Sequence, residues 1–144
     1  GKDFYSRFLS KSNIQVVFNQ TYSLLEQADV ALVSSGTATL ETALFDVPQV
    51  VCYQTSVFSF AIAKLLVDVK YISLVNLISQ RELVKELIQS EMTVSNMVYE
   101  LNRILDDAEA QKMKSNYIQL RTLLGGEGAS ERVSDSIFNH LTKN

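Results

Sequence analysis

Ala28-Asp-Val-Ala-Leu-Val-Ser-Ser-Gly-Thr-Ala-Thr-Leu-Glu41 is the stretch on which the reading of this chain turns. The run Val30 to Val33 is apolar without alternation, which suits a parallel strand covered on both faces. Ser34, Ser35 and Gly36 make a small-residue turn, and a helix is predicted to open at Thr37. Backbone N–H groups at such an opening lack intrahelical partners and lie at the positive end of the helix dipole, so the turn suits an anion. Glu41 lies one turn further on the same face. Helical side chains lean toward the N-terminus, which brings its carboxylate to the same mouth. A phosphate at the turn and a sugar diol at the carboxylate would suit a nucleotide diphosphate. The alternative is a well-capped buried βα unit with no ligand.

Outward from this stretch, strands alternate with helices. Upstream, Phe4, Phe8 and Leu9 give a short amphipathic helix over residues 3 to 11. Ile14 to Phe18 is β-branched and apolar and reads as a strand, and Thr21 caps a helix through Ala28. Downstream, the helix from Thr37 ends near Asp46, because Pro48 prevents its continuation. Gln49 to Tyr53 is a further buried strand, Ser56 caps an apolar helix over Val57 to Val69, and Tyr71 to Ser73 is a short strand. This order predicts a doubly wound α/β domain with a parallel sheet, followed by a helical last third. That third comprises helices over Glu82 to Gln89, from Thr93 or Ser95 to Leu105, from Asp106-Asp107 to Leu124, and from Ser130 to Leu141. Ligands of such sheets bind at the carboxyl ends of the strands. The loops expected there are Asn19 to Thr21, Ser34 to Gly36, Gln54 to Ser56, and Leu74 to Arg81, which holds Asn76, Gln80 and Arg81.

The bulk numbers limit the function classes. At 144 residues with 47% apolar content, the chain is long enough for one cored domain, residues 1–144. A net charge of −3 argues against nucleic acid as a partner, since phosphate neutralisation needs clustered Lys and Arg. Cys52 is the single cysteine and reads as a buried thiol of a reducing compartment. With one histidine, the chain has no Cys/His metal spacing. The N-terminal residues show no signal peptide, and the run Val57 to Val67, broken by Ser59 and Lys64, is too short to span a bilayer.

With these residues laid out, the chain resembles the C-terminal part of the lipid-A-disaccharide synthase family, bacterial glycosyltransferases of the GT-B architecture. The similar blocks are Phe18-Asn-Gln-Thr-Tyr22, Ala28 to Glu41, Val47-Pro-Gln-Val-Val-Cys-Tyr53, Tyr71-Ile-Ser-Leu-Val-Asn-Leu77 with Arg81-Glu82, and Gly128-Ala-Ser-Glu-Arg132. The resemblance implies a Rossmann-like domain that holds a UDP-linked diacylglucosamine, whose sugar passes to diacylglucosamine 1-phosphate (lipid X) with release of UDP. It implies no cofactor and no metal, a cytoplasmic enzyme peripheral to the inner membrane, and a catalytic base in an N-terminal acceptor domain that this chain lacks. Only four strands are readable, so the chain is expected to be a truncated nucleotide-sugar-binding domain, inactive by itself. A sheet edge left bare by truncation predicts a homodimer or a marginally stable chain. Competing readings are a non-catalytic UDP-binding module and another GT-B enzyme, such as a UDP-N-acetylglucosamine 2-epimerase. The epimerase would bring catalytic acids and a histidine within the fold.

The resemblance assigns nucleotide-sugar binding residue by residue. Ser35, Gly36 and Thr37 form the diphosphate turn, and Glu41 accepts hydrogen bonds from the ribose diol. Gln20 and Thr21 either sit near the base or cap a helix, and Asn76 matches a donor-site Asn. Arg81 and Glu82 match too, or are surface electrostatics. Gln54 stands where many relatives carry a basic residue, so it brings a hydrogen bond but no charge to the diphosphate. Lys64 is expected to snorkel, His140 to lie on the surface, and Asp106-Asp107 to cap a helix rather than bind a metal.

Overall fold

Gln49-Val-Val-Cys-Tyr53 is the central strand of a parallel three-stranded sheet. The computed structural model describes residues 4, 5, 9, 14–56, 70–126 and 128–142. Within them, β1 (Ala31–Ser34), β2 (Gln49–Tyr53) and β3 (Lys85–Ile88) lie in the order β1-β2-β3. Val33 pairs with Val51, and Val51 with Glu86. The helices are α1 (Thr21–Leu25), α2 (Ala38–Leu44), α3 (Leu74–Ser79), α4 (Val94–Ile104), α5 (Asp107–Leu123) and α6 (Ala129–Thr142).

Side chains alternate across the sheet, so the two faces separate cleanly. Gln49 points to α2 and α5: its Nε2 donates to the Thr39 carbonyl at 2.9 Å and to the Tyr117 hydroxyl at 3.4 Å. The Tyr117 hydroxyl in turn donates to the Val47 carbonyl at 3.3 Å, and burial pushes this phenol well above its ordinary range. On the other face, Val50 and Leu87 meet α4, whose Met97, Leu101 and Ile104 recur at helical spacing. The buried cluster runs through both layers, from Ala43 and Val75 to Ile104, Met113, Tyr117 and Leu120. This is the α/β architecture expected from the alternation of elements.

Four expectations change. Ile14 to Phe18 is not a strand: residues 14–17 carry no regular structure, and Ile14 is 63% exposed. A β-branched run becomes a strand only where it finds a ladder and a covered face, and β1 pairs only with β2 among the described residues. The helix from Thr21 is five residues long rather than reaching Ala28, and Gln20, not Thr21, occupies its N-cap position. Tyr71 to Ser73 is the approach to α3, not a strand, and the Ser73 hydroxyl caps α3 by accepting from the Asn76 N–H at 3.3 Å. Finally, Lys85–Ile88 is β3, inside the region expected to be a helix over Glu82 to Gln89. Leu83, Val84, Leu87 and Ile88 satisfy i,i+4 spacing, but they also suit a strand buried on both faces. Pairing with β2 decides for the strand.

Elsewhere the caps stand where the residue types put them. Thr93 caps α4, Asp106 caps α5 by accepting from the N–H groups of Ala108 and Glu109, and Gly125 and Gly126 follow α5 with positive φ. The helices expected over 3 to 11 and 57 to 69, and with the latter Lys64, fall largely or wholly outside the described residues.

Candidate functional site

The carboxyl ends of β1, β2 and β3 lead into Ser35-Gly-Thr37, Gln54-Thr-Ser56 and Gln89 to Thr93. A fourth segment, Lys70 to Ser73, joins them ahead of α3, because the Ser35 hydroxyl donates to the Ile72 carbonyl at 3.3 Å. The Ser35 N–H donates to the Cys52 carbonyl at 3.2 Å, which carries the β1–β2 ladder one residue past the strand. Gly36 is exposed with φ +156, a conformation side chains rarely adopt, and a Cβ there would meet nothing within 4 Å. Its carbonyl accepts from the Thr39 N–H and hydroxyl, at 3.2 and 2.7 Å. Thr37 occupies the N-cap position of α2, but its side chain makes no capping bond. The turn therefore presents open backbone and a hydroxyl outside the capping pattern.

Glu41 is half-buried, one turn into α2. It lines an open concavity of about 420 Å³ with Asn19, Gln20, Thr21, Tyr22 and Ser23. The structure thus brings Gln20, Thr21 and Glu41 together, from segments that the sequence separates by β1. Gln54 is exposed and opens onto a second concavity of about 370 Å³ that includes Ser34, Cys52, Met92 and Met97. Burial raises the Cys52 thiol above its ordinary value.

Three expected residues are placed otherwise. Asn76 has no exposed surface. Its Nδ2 donates to the Val84 carbonyl and to Glu86 Oε1, both at 2.8 Å, and its Oδ1 accepts from the N–H groups of Leu83 and Val84 at 2.8 and 3.1 Å. An amide so engaged has nothing left for a ligand. Arg81 and Glu82 sit at the far end of α3, just ahead of the start of β3, and so at the opposite edge of the sheet. There Arg81 donates to Asn116 and Gln119 of α5, and Glu82 pairs with Lys85 at 3.8 Å. Their misplacement follows from the misread strand: once β3 lies at 85–88, the segment 74–81 is a crossover helix, not a ligand-edge loop.

Sequence reasoning missed three residues of this edge. Glu86, on β3, accepts from the N–H groups of Ile72 and Ser73 at 2.9 Å each, from the Ser73 hydroxyl at 2.7 Å, and from Asn76. It ties the loop that receives Ser35 to the sheet. Lys70 is the one lysine or arginine in the described loops at this edge, with its Nζ 5.1 Å from the centre of the Tyr71 ring. Gln89 bonds the backbone of Thr55. A charge in a strand misread as a helix gave no signal of burial, and only the pairing of β2 with β3 exposes it.

A three-stranded parallel sheet with helices on both faces, and with these loops gathered at its carboxyl edge, is a Rossmann-like α/β unit. The family model for lipid-A-disaccharide synthetase matches residues 4–138. Among curated relatives, the lipid-A-disaccharide synthase of Psychromonas ingrahamii is 43% identical over 129 residues, covering 88% of this chain and 34% of the relative. That of Solibacter usitatus is 35% identical over 139 residues, covering 95% and 36%. That of Geobacter metallireducens is 34% identical over 138 residues, covering 94% and 36%. The chain belongs to the lipid-A-disaccharide synthase family, glycosyltransferases of lipid A biosynthesis. It spans about a third of the length of these relatives. Among the described residues, no helix is long and apolar enough to cross a membrane, and no group of three or more His, Cys, Asp or Glu could hold a metal ion.

Proposed function

We propose that this chain forms the donor-binding part of a lipid-A-disaccharide synthase. It holds a UDP-linked diacylglucosamine, whose sugar is transferred to diacylglucosamine 1-phosphate (lipid X), giving the β-1,6-linked disaccharide and UDP. The reading rests on membership of the family together with one geometric observation. Glu41, one helical turn after Thr37, lines a single concavity with Gln20 and Thr21. In this arrangement the diphosphate lies along the turn Ser35-Gly-Thr37, where Gly36 lets the backbone come close. The Glu41 carboxylate accepts both hydrogen bonds of the ribose diol, and Gln20 and Thr21 offer amide and hydroxyl groups to the base. Gln54 donates a hydrogen bond to the diphosphate, and Lys70 adds the positive charge that the departing diphosphate needs. The lipid acceptor, and the base that takes its hydroxyl proton, belong to a part of the family protein outside this chain. Two acylated substrates put the reaction at the cytoplasmic face of the inner membrane, with peripheral contact, and the outer edge of β1, unpaired among the described residues, favours a homodimer.

The test is calorimetric titration of the chain with UDP and with ADP. UDP is expected to bind more tightly. Glu41→Ala removes a charged acceptor and Gly36→Val closes the approach to the turn, and each is expected to weaken UDP by about ten- to a hundredfold. ADP binding more tightly than UDP, or unchanged UDP affinity in both variants, would refute the assignment.

A further inference from the structure

Gln89 lies immediately past β3, where its backbone adopts φ +51. This left-handed region is natural for Gly and tolerable for Asn or Asp, but strained for a long side chain. Of the other described non-glycine residues in this region, Asn19 and Asp46 are of the tolerated types, and Gln80 closes a helix. Gln89 closes no helix. Its carbonyl opens the short turn to Met92, a task that glycine would perform without strain. A side chain kept at such a position points to a use for the side chain.

That use is visible across the sheet. The β2–β3 ladder ends with Tyr53 opposite Ile88. One step further, the Gln89 side-chain amide takes the place of a strand backbone. Its Oε1 accepts from the Thr55 N–H at 2.9 Å, and its Nε2 donates to the Thr55 carbonyl at 3.2 Å. Both backbone groups of Thr55 are thereby held, in a loop that lies beyond the end of regular pairing. Only a carboxamide offers a donor and an acceptor side by side at this reach. Thr55 follows Gln54, the residue read as offering a hydrogen bond to the diphosphate.

We infer that Gln89 is a positioning residue: its amide extends the β2–β3 ladder by one rung and so fixes the Gln54–Ser56 loop for the nucleotide sugar. The inference deepens the donor-binding reading and rests on it. Pre-set loops bind without an ordering cost, and loss of the clamp releases the loop to several conformations, of which one binds.

The test compares the chain with Gln89→Gly and Gln89→Met by three measurements: amide hydrogen exchange at Thr55, thermal melting, and titration with UDP. Glycine keeps the left-handed turn while removing the clamp; methionine keeps the length while removing both hydrogen-bonding groups. Exchange at Thr55 is expected to quicken by about tenfold or more in both variants. UDP affinity is expected to fall by about tenfold. The melting midpoint of Gln89→Gly is expected to stay within about 3 °C of the parent. A purely structural turn would make Gln89→Gly equal to the parent in all three measurements, which overturns the inference. Quickened exchange with unchanged UDP affinity overturns it as well, since the clamp would then hold nothing that binds. If the parent chain itself fails to bind UDP while exchange at Thr55 still responds, the donor-binding reading fails and the positioning role falls with it.

Discussion

Asn76→Ala separates a ligand contact from an internal strut. In the folded chain the Asn76 side chain makes four hydrogen bonds, none to solvent-facing groups, and the residue has no exposed surface. Truncation leaves the N–H groups of Leu83 and Val84 without their side-chain acceptor, at about 1–2 kcal/mol each. The Val84 carbonyl and the Glu86 carboxylate each lose a donor, at about 0.5–1 kcal/mol. Glu86 is left with its three bonds to Ile72 and Ser73, which limits its share. The sum, about 3–6 kcal/mol, is a large part of the 5–15 kcal/mol typical of a whole domain. At about 3 °C per kcal/mol for a domain of this size, melting should fall by about 9–18 °C. Asn76→Asp keeps the acceptor but turns a second oxygen toward the Val84 carbonyl and Glu86, so it is expected to cost at least as much. Urea unfolding followed by far-UV circular dichroism measures the loss, with UDP titration under native conditions alongside. A loss below about 1 kcal/mol, together with a large drop in UDP affinity, would refute the strut and restore Asn76 as a ligand contact.

Asp106→Ala removes the side chain that accepts from Ala108 and Glu109 at the start of α5, and is expected to destabilise by about 1 kcal/mol in the same unfolding assay. Cys52 carries less thiolate at neutral pH than an unhindered cysteine, because burial raises its pKa. Ellman's reagent should therefore react more slowly with the folded chain than with the chain in urea, and the folded rate should climb as pH rises beyond the range where a free thiol has already ionised. Equal rates folded and unfolded would contradict its half-buried position.

Much of the architecture was legible in local chemistry. Gln49 to Tyr53 is bounded by Pro48 and polar loops, and it is a strand over those very residues. Thr93, Asp106 and Gly125 mark helix ends because capping is a local bargain between one side chain and the adjacent backbone. The turn at Ser35 to Thr37 was legible for the same reason, since strand, small residues and helix follow one another without interruption.

Pairing and convergence were not legible. Ile14 to Phe18 is short and apolar, and Lys85 to Ile88 is short with two charges in four residues, yet only the second is a strand, because only it lies against β2. Asn76 and Arg81 were expected at the ligand edge because Leu74 to Arg81 read as a loop there and matched the family, but the place of β3 sends one into the interior and the other to the far edge. Glu86 and Gln89, which carry no local pattern, hold the loops of the candidate site through contacts 10 to 34 residues away. By itself, then, the sequence determined what depends on neighbours along the chain: the central strand, the caps and the open turn. The tertiary structure alone decided which strand completes the sheet, which polar side chains are consumed inside it, and that Glu41 meets Gln20 and Thr21 in one concavity. The physical reason is that a hydrogen-bond donor or acceptor has no preferred partner until folding brings one within reach, and burial then makes that partner obligatory.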